Sequence, residues 1–201
     1  MYKHLLTILG TFCLITLFLV SCSNNKRKTP ELIVVYEDDD DGLDEFDYHN
    51  LNEYGIEASI FLPGPASNVG ATTPFVDYQK GGYKWDIFIG DRFQIRIEDW
   101  GKDDPIALHK EDLSYQAHIY DIKMIIDEPD LIFYEATLKP KSYSDNNEAV
   151  GTDHITYHCL ATHKINGFSY LFRTEDLGTT KEIANYVLKS VNSVKELDLI
   201  N

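Results

Sequence analysis

The clearest pattern in the chain is a strict alternation of apolar and polar positions between residues 84 and 98. Trp85, Ile87 and Ile89 interleave with Asp86, Phe88 and Gly90; after a short break Phe93, Ile95 and Ile97 interleave with Gln94, Arg96 and Glu98. A period of two belongs to a half-buried strand. Gly90-Asp91 supplies the tight turn, where glycine accepts positive φ, so the segment is predicted as a β-hairpin. Two more hairpins follow. "HIYDIKMIIDEPDLIFYEATLKP" turns at Glu128-Pro129-Asp130, and "TDHITYHCLATHKINGFSYLFRTED" turns at Asn166-Gly167, the dipeptide favoured by type I′ turns. Upstream, "GIEASIFLP" has a strand composition and stops at Pro63.

The period changes twice. In "KDDPIALHKEDLSYQ" Asp104 is positioned as an N-cap and Pro105 as the first helical residue. The spacing predicts a short helix with Ile106, Leu108 and Leu113 toward the sheet. Near the C-terminus Thr179-Thr180-Lys181-Glu182 reads as a capping box. Beyond it Ile183, Val187, Val191 and Val194 recur as one stripe, widened by Ala184 and Leu188, which predicts a helix over roughly 180 to 196. Three stretches lack a period. Residues 37 to 50 read as an acidic loop, 64 to 82 as a long loop rich in Gly and Pro, and 141 to 151 as a polar loop; "ELIVVYE", 31 to 37, reads as a short strand.

The resulting order is strand, hairpin, helix, hairpin, hairpin, helix. It predicts an α+β domain over 54 to 201: an antiparallel sheet built from successive hairpins, covered by a C-terminal amphipathic helix and a shorter internal helix. The early "FLP" strand end, the run of hairpins and the closing "TTKEIANYVLKSVNSVK" helix after "LFRTED" resemble the PsbP-like α/β sandwich, shared with Ran-release factors and several bacterial envelope lipoproteins. The resemblance would span about residues 54 to 198 and implies a binding or assembly role. It transfers no functional residue.

The N-terminus has its own pattern. Lys3 precedes an apolar run from Leu5 to Val20, shorter than the roughly twenty residues that cross a bilayer core and suited to the apolar region of a secretory signal. It closes on Leu19-Val20-Ser21-Cys22, which resembles the bacterial lipobox. That resemblance implies a signal peptide over 1 to 21, cleavage before Cys22, and diacylglyceryl and fatty-acyl groups on Cys22. Several chains together hold a protein at a membrane at about 0.8 kcal/mol per buried methylene. Residues 22 to 53 are then a flexible acidic tether. Ser23 stands where an aspartate retains a lipoprotein in the inner membrane, and no acidic pair follows Cys22 directly. The expectation is therefore the outer membrane facing the periplasm, ahead of the inner membrane or the cell surface.

Charge narrows the partners. The chain carries 33 acidic and 18 basic residues, a net charge of −15, and loses only Lys3 with the signal. It repels nucleic acid and anionic headgroups, which leaves a basic envelope protein as the favoured partner besides the membrane itself. Of the three cysteines, Cys13 leaves with the signal and Cys22 carries lipid, so Cys159 has no partner for an intramolecular disulfide.

Four groupings offer residues for chemistry. Glu37, Asp39, Asp41, Gly42 and Glu45 occupy several offsets of a calcium loop, but Asp44 and Tyr48 occupy two positions against it. His154, His158, Cys159 and His163 cluster in sequence. On a strand, however, His154 and His158 lie about 13 Å apart, too far for one metal ion. Glu98, Asp99, Asp103 and Asp104 could serve acid–base chemistry, although capping and turn chemistry account for them more simply. Tyr78, Tyr83 and Trp100 are candidates for an exposed aromatic surface. No nucleophile, phosphate-loop or dinucleotide motif appears. The expectation is a lipid-anchored envelope protein acting as a non-enzymatic binding or assembly module, with no cofactor. Two alternatives remain: a hydrolase-like enzyme using acidic residues near Asp99, and calcium binding through residues 37 to 45.

Overall fold

The computed structural model describes residues 44–67, 69, 72–79, 81–139 and 154–197. All of them belong to one compact unit, Asp38–Asn201. The signal and lipobox with Cys22, the strand expected at 31 to 37, the acidic positions 37 to 43 and the polar loop 141 to 151 lie outside the described residues.

The described chain is α+β, with two antiparallel sheets and two helices. Ten strands are formed: β1 (Phe46–Asn50), β2 (Ala58–Pro63), β3 (Phe75–Gln79), β4 (Lys84–Ile89), β5 (Phe93–Asp99), β6 (Tyr120–Asp127), β7 (Leu131–Leu138), β8 (Ile155–Ile165), β9 (Phe168–Arg173) and β10 (Lys195–Glu196). The helices are α1 (Pro105–Gln116) and α2 (Lys181–Asn192). A small sheet has the order β1-β2-β10, and a large one β3-β4-β5-β9-β8-β7-β6.

Period-two burial builds the large sheet. Trp85 pairs with Ile97, Ile87 with Ile95 and Ile89 with Phe93, and all six face one core. At the β8–β9 turn both Asn166 (φ 51°) and Gly167 (φ 79°) are left-handed, as a type I′ turn requires. A bulge between Met124 and Ile126 in β6 changes the face of the strand. Ile122 and Met124 meet one core, whereas Ile125 and Ile126 meet the other.

The sheet therefore has a core on each face. The main core joins the large sheet to α2 and to Ala58, Ile60 and Leu62 of β2. The second lies under α1, where Ile106 and Leu113 pack on Ile132, Tyr134, Ala136, Leu160 and Leu171.

Several expectations are corrected here. The tether expected over 22 to 53 contains β1, because Phe46 has a buried site and every β1 backbone position pairs with β2. The loop expected over 64 to 82 contains β3, whose Phe75 and Tyr78 sit across from Phe88 and Trp85 on β4. The internal helix is no shorter than the C-terminal one, since each has 12 residues. α2 stops at Asn192, where Ser193 Oγ donates to the Ser190 carbonyl at 2.6 Å, and the chain then pairs with β2 as β10. Its N-cap is Thr180, which accepts from Ile183 N at 3.4 Å. Thr179 is instead held backbone to backbone against Tyr157, so Glu182 is displaced from the capping-box position and ion-pairs with Arg92 at 3.0 Å. Leu108 is 51% exposed: two residues beyond Ile106 is about 200° around a helix, which points it away from the sheet.

Candidate functional site

Between α1, the β6–β8 part of the large sheet and the segment after β9 lies a cleft of about 430 Å³. Its floor follows from register. Tyr134 on β7 and His158 on β8 are direct cross-strand partners, so their rings stack with centroids 4.7 Å apart and planes within 4°. His109 lies three residues after Ile106 on the inner side of α1, and its Nε2 is 3.0 Å from the Tyr134 hydroxyl. Thr156 Oγ1 is 3.0 Å from His158 Nε2. The segment returning from β9 presses on the same ring: a Cβ at Gly178 would lie 2.4 Å from His158 Nε2.

Arg173, at the end of β9, joins the cleft to an ion network built on the buried carboxylates of Glu98 and Asp86. It holds Glu98 Oε1 through Nη2 at 3.0 Å and through Nε at 3.3 Å, and Asp176 at 2.5 Å. Glu98 also accepts from Trp100 Nε1 at 3.0 Å and pairs with Lys84 at 3.3 Å. Arg96 clamps Asp86 in two bonds at 2.8 and 3.2 Å and reaches Asp176 at 2.6 Å. Three cations thus meet three carboxylates. Buried charges persist only when paired this fully.

The electrostatics are one-sided. Burial, then His109 and Arg173, lower the His158 pKa to about 4. Burial and then Arg173 also lower that of His109, against a smaller opposing effect of Asp112. Burial raises the Tyr134 hydroxyl. For Glu98 burial acts upward, but Arg173, Trp100 and Lys84 together hold it below its ordinary value. At neutral pH the floor is therefore two neutral imidazoles and a phenol beside a guanidinium held by carboxylates.

Of the histidine cluster, only His154 and His158 line this cleft, His154 at the exposed rim. Cys159 points to the other face, wholly buried, and burial raises its pKa. His163 meets Phe172 edge-on at 5.4 Å on that same face. Among the described residues no three His, Cys, Asp or Glu side chains could hold a metal ion together.

The acidic group is dispersed as well. Alternation along β5 sends Glu98 into the ion network and Asp99 to the opposite face, where Oδ1 accepts from Gly101 N at 2.8 Å. Asp104 caps α1 through Ala107 N at 3.1 Å, and Asp103 N donates to the Trp100 carbonyl at 3.1 Å. Glu45 of the acidic loop accepts from the Tyr186 hydroxyl at 3.1 Å. Tyr78 and Tyr83 are exposed, Tyr78 stacking on Trp85, whereas Trp100 is half-buried on Glu98.

Sequence reasoning missed His109, Tyr134 and Arg173. His109 was the accessible one, since its spacing from Ile106 and Leu113 puts it on the inner stripe of α1. The hydroxyl–imidazole pair Thr156–His158 has the reach of a nucleophile and its base. Here the base is weakened by burial and by Arg173, and Arg173 would oppose the imidazolium that such a step needs. Comparison with family models, with curated proteins and with solved structures yields no match to this chain.

Proposed function

We propose that this chain is a lipid-anchored cell-envelope protein whose folded domain is a non-enzymatic binding module, with the cleft under α1 as its binding site. The observation that carries the reading is the state of the cleft floor. His109 bonds the Tyr134 hydroxyl, Thr156 bonds His158, the Tyr134 and His158 rings stack, burial lowers the basicity of both imidazoles, and Arg173 is already engaged by Glu98 and Asp176. Such a floor recognises; it has little capacity to move a proton at neutral pH.

The anchor in this reading is Cys22 in Leu19-Val20-Ser21-Cys22, acylated after removal of residues 1 to 21, with the outer membrane as its site. A basic envelope protein remains the favoured macromolecular partner for so acidic a chain. The layered arrangement proposed is of the PsbP-like kind, a hairpin-built sheet with a helix on each face. The hydrolase alternative finds less support, because Glu98 and Asp99 lie on opposite faces and both already hold partners.

The test is affinity capture from envelope extract with the full chain in detergent, wild type beside Leu177→Glu at the cleft mouth. One dominant partner or ligand that survives moderate salt and is lost in the variant is the expected result. Associations that all vanish at moderate salt, with none dominant, would overturn the binding role. Anchoring is read separately: labelled palmitate should enter the wild type and be absent from Cys22→Ala.

A further inference from the structure

The charges around the cleft differ between its floor and its mouth. Arg173, Arg96 and Lys84 are matched by Glu98, Asp86 and Asp176. Two further carboxylates line the cleft, Asp112 on α1 and Glu175 on the segment after β9. Asp112 is braced by Gln116 Nε2 at 2.6 Å. Beside the imidazoles of the floor, the half-buried Tyr120 and Ile122 give the cleft an apolar side, and Leu177 stands 83% exposed at the mouth.

We propose that the cleft binds a small organic ammonium ion, its apolar body against Tyr120, Ile122 and Leu177 and its charge drawn to the carboxylates of Asp112 and Glu175. The proposal rests on the reading of this domain as a binding module and names the ligand class. A cavity of about 430 Å³ lies within the roughly 300–1,000 Å³ range of small-molecule sites. An anion entering it would pass Asp112, Glu175 and Asp176, whereas a cation is drawn in both by these and by the net charge of −15. Neutral imidazoles on the floor add no opposing charge. Among the described residues no three His, Cys, Asp or Glu side chains converge as a metal ion requires, whereas an organic ammonium ion needs one carboxylate for its charge and a wall for its apolar body.

The experiment titrates the full chain, in nonionic detergent, with three probes of matched shape: 2-phenylethylammonium, 2-phenylethanol and 3-phenylpropionate. The readout is the imidazole resonances of His109 and His158. The ammonium should shift them at the lowest concentration and the carboxylate at the highest. Asp112→Asn with Glu175→Gln should weaken the ammonium by about fivefold or more and leave the alcohol unchanged. Nα-acetyl-lysine methylamide offers the same ammonium on a protein side chain. If it is the tighter ligand, the natural ligand is a lysine of a partner; if phenylethylammonium is tighter, it is a free amine. Equal affinity for ammonium and carboxylate, or no shift with any probe, overturns the inference. If partner capture by the full chain persists in that case, the binding module stands without this ligand; if capture fails too, both readings fall.

Discussion

His158 is the residue at which sequence, packing and chemistry meet. Its place on β8 sets it across from Tyr134, and burial then lowers its pKa from 6.5 to about 4. The sign of the consequence follows from linkage. The unfolded chain takes up the proton near pH 6.5 and the folded chain only near 4, so the stability contributed is full above pH 6.5 and is lost as pH falls between these values. The loss at this site is on the order of 3 kcal/mol, and His109 adds to it in the same direction. Urea denaturation at pH 7 and at pH 4.5 should show wild type losing stability and His158→Phe losing clearly less; equal losses would contradict the assignment. Gly178 provides a second test. Its φ is +72°, and a Cβ there would meet His158 and Thr156 within 3 Å. Gly178→Ala should cost more than about 1 kcal/mol, with a matching fall in melting temperature and displaced His158 resonances.

At the scale of elements, local signals and long-range pairing divide the outcome. The N-caps show the division clearly. Asp104 was readable from Asp-Pro alone, and it caps α1. At α2 the local signal named Thr179 as the cap, but a backbone bridge to Tyr157 takes that residue and Thr180 caps instead. Thr180→Ala should therefore cost about 1 kcal/mol, whereas Thr179→Ala, whose contacts here are main-chain, should change thermal melting little. β1 and β3 were hidden for a related reason. Each is a five-residue strand with polar neighbours, and what makes them strands is the partner, β2 or β4, rather than their own periodicity.

The whole molecule is organised by one sheet shared between two cores. Trp85 belongs to the main core and Trp100 packs against the second, so the two indoles report on both. Because the same strands bear both cores, unfolding should be one cooperative step, with tryptophan fluorescence and circular dichroism transitions coinciding. Ile60→Ala, between the small sheet and α2, should lower stability by about 2–5 kcal/mol without separating the probes. Separate transitions would show that the cores fold independently. Across the molecule, the sequence by itself determined what is local: alternation marked β4 and β5, turn residues marked the other two hairpins, Asn166-Gly167 set a left-handed turn, and 3.6-residue spacing marked α2. Only the tertiary structure decided what depends on separation in space. It placed His109 beside Tyr134, set His158 across from Tyr134, and joined Arg173 to Glu98 and Arg96 to Asp86. The reason is physical. Periodicity encodes which side of an element is apolar, but the charge state and reach of a buried side chain depend on neighbours that arrive from other strands, and those are assigned by register and packing.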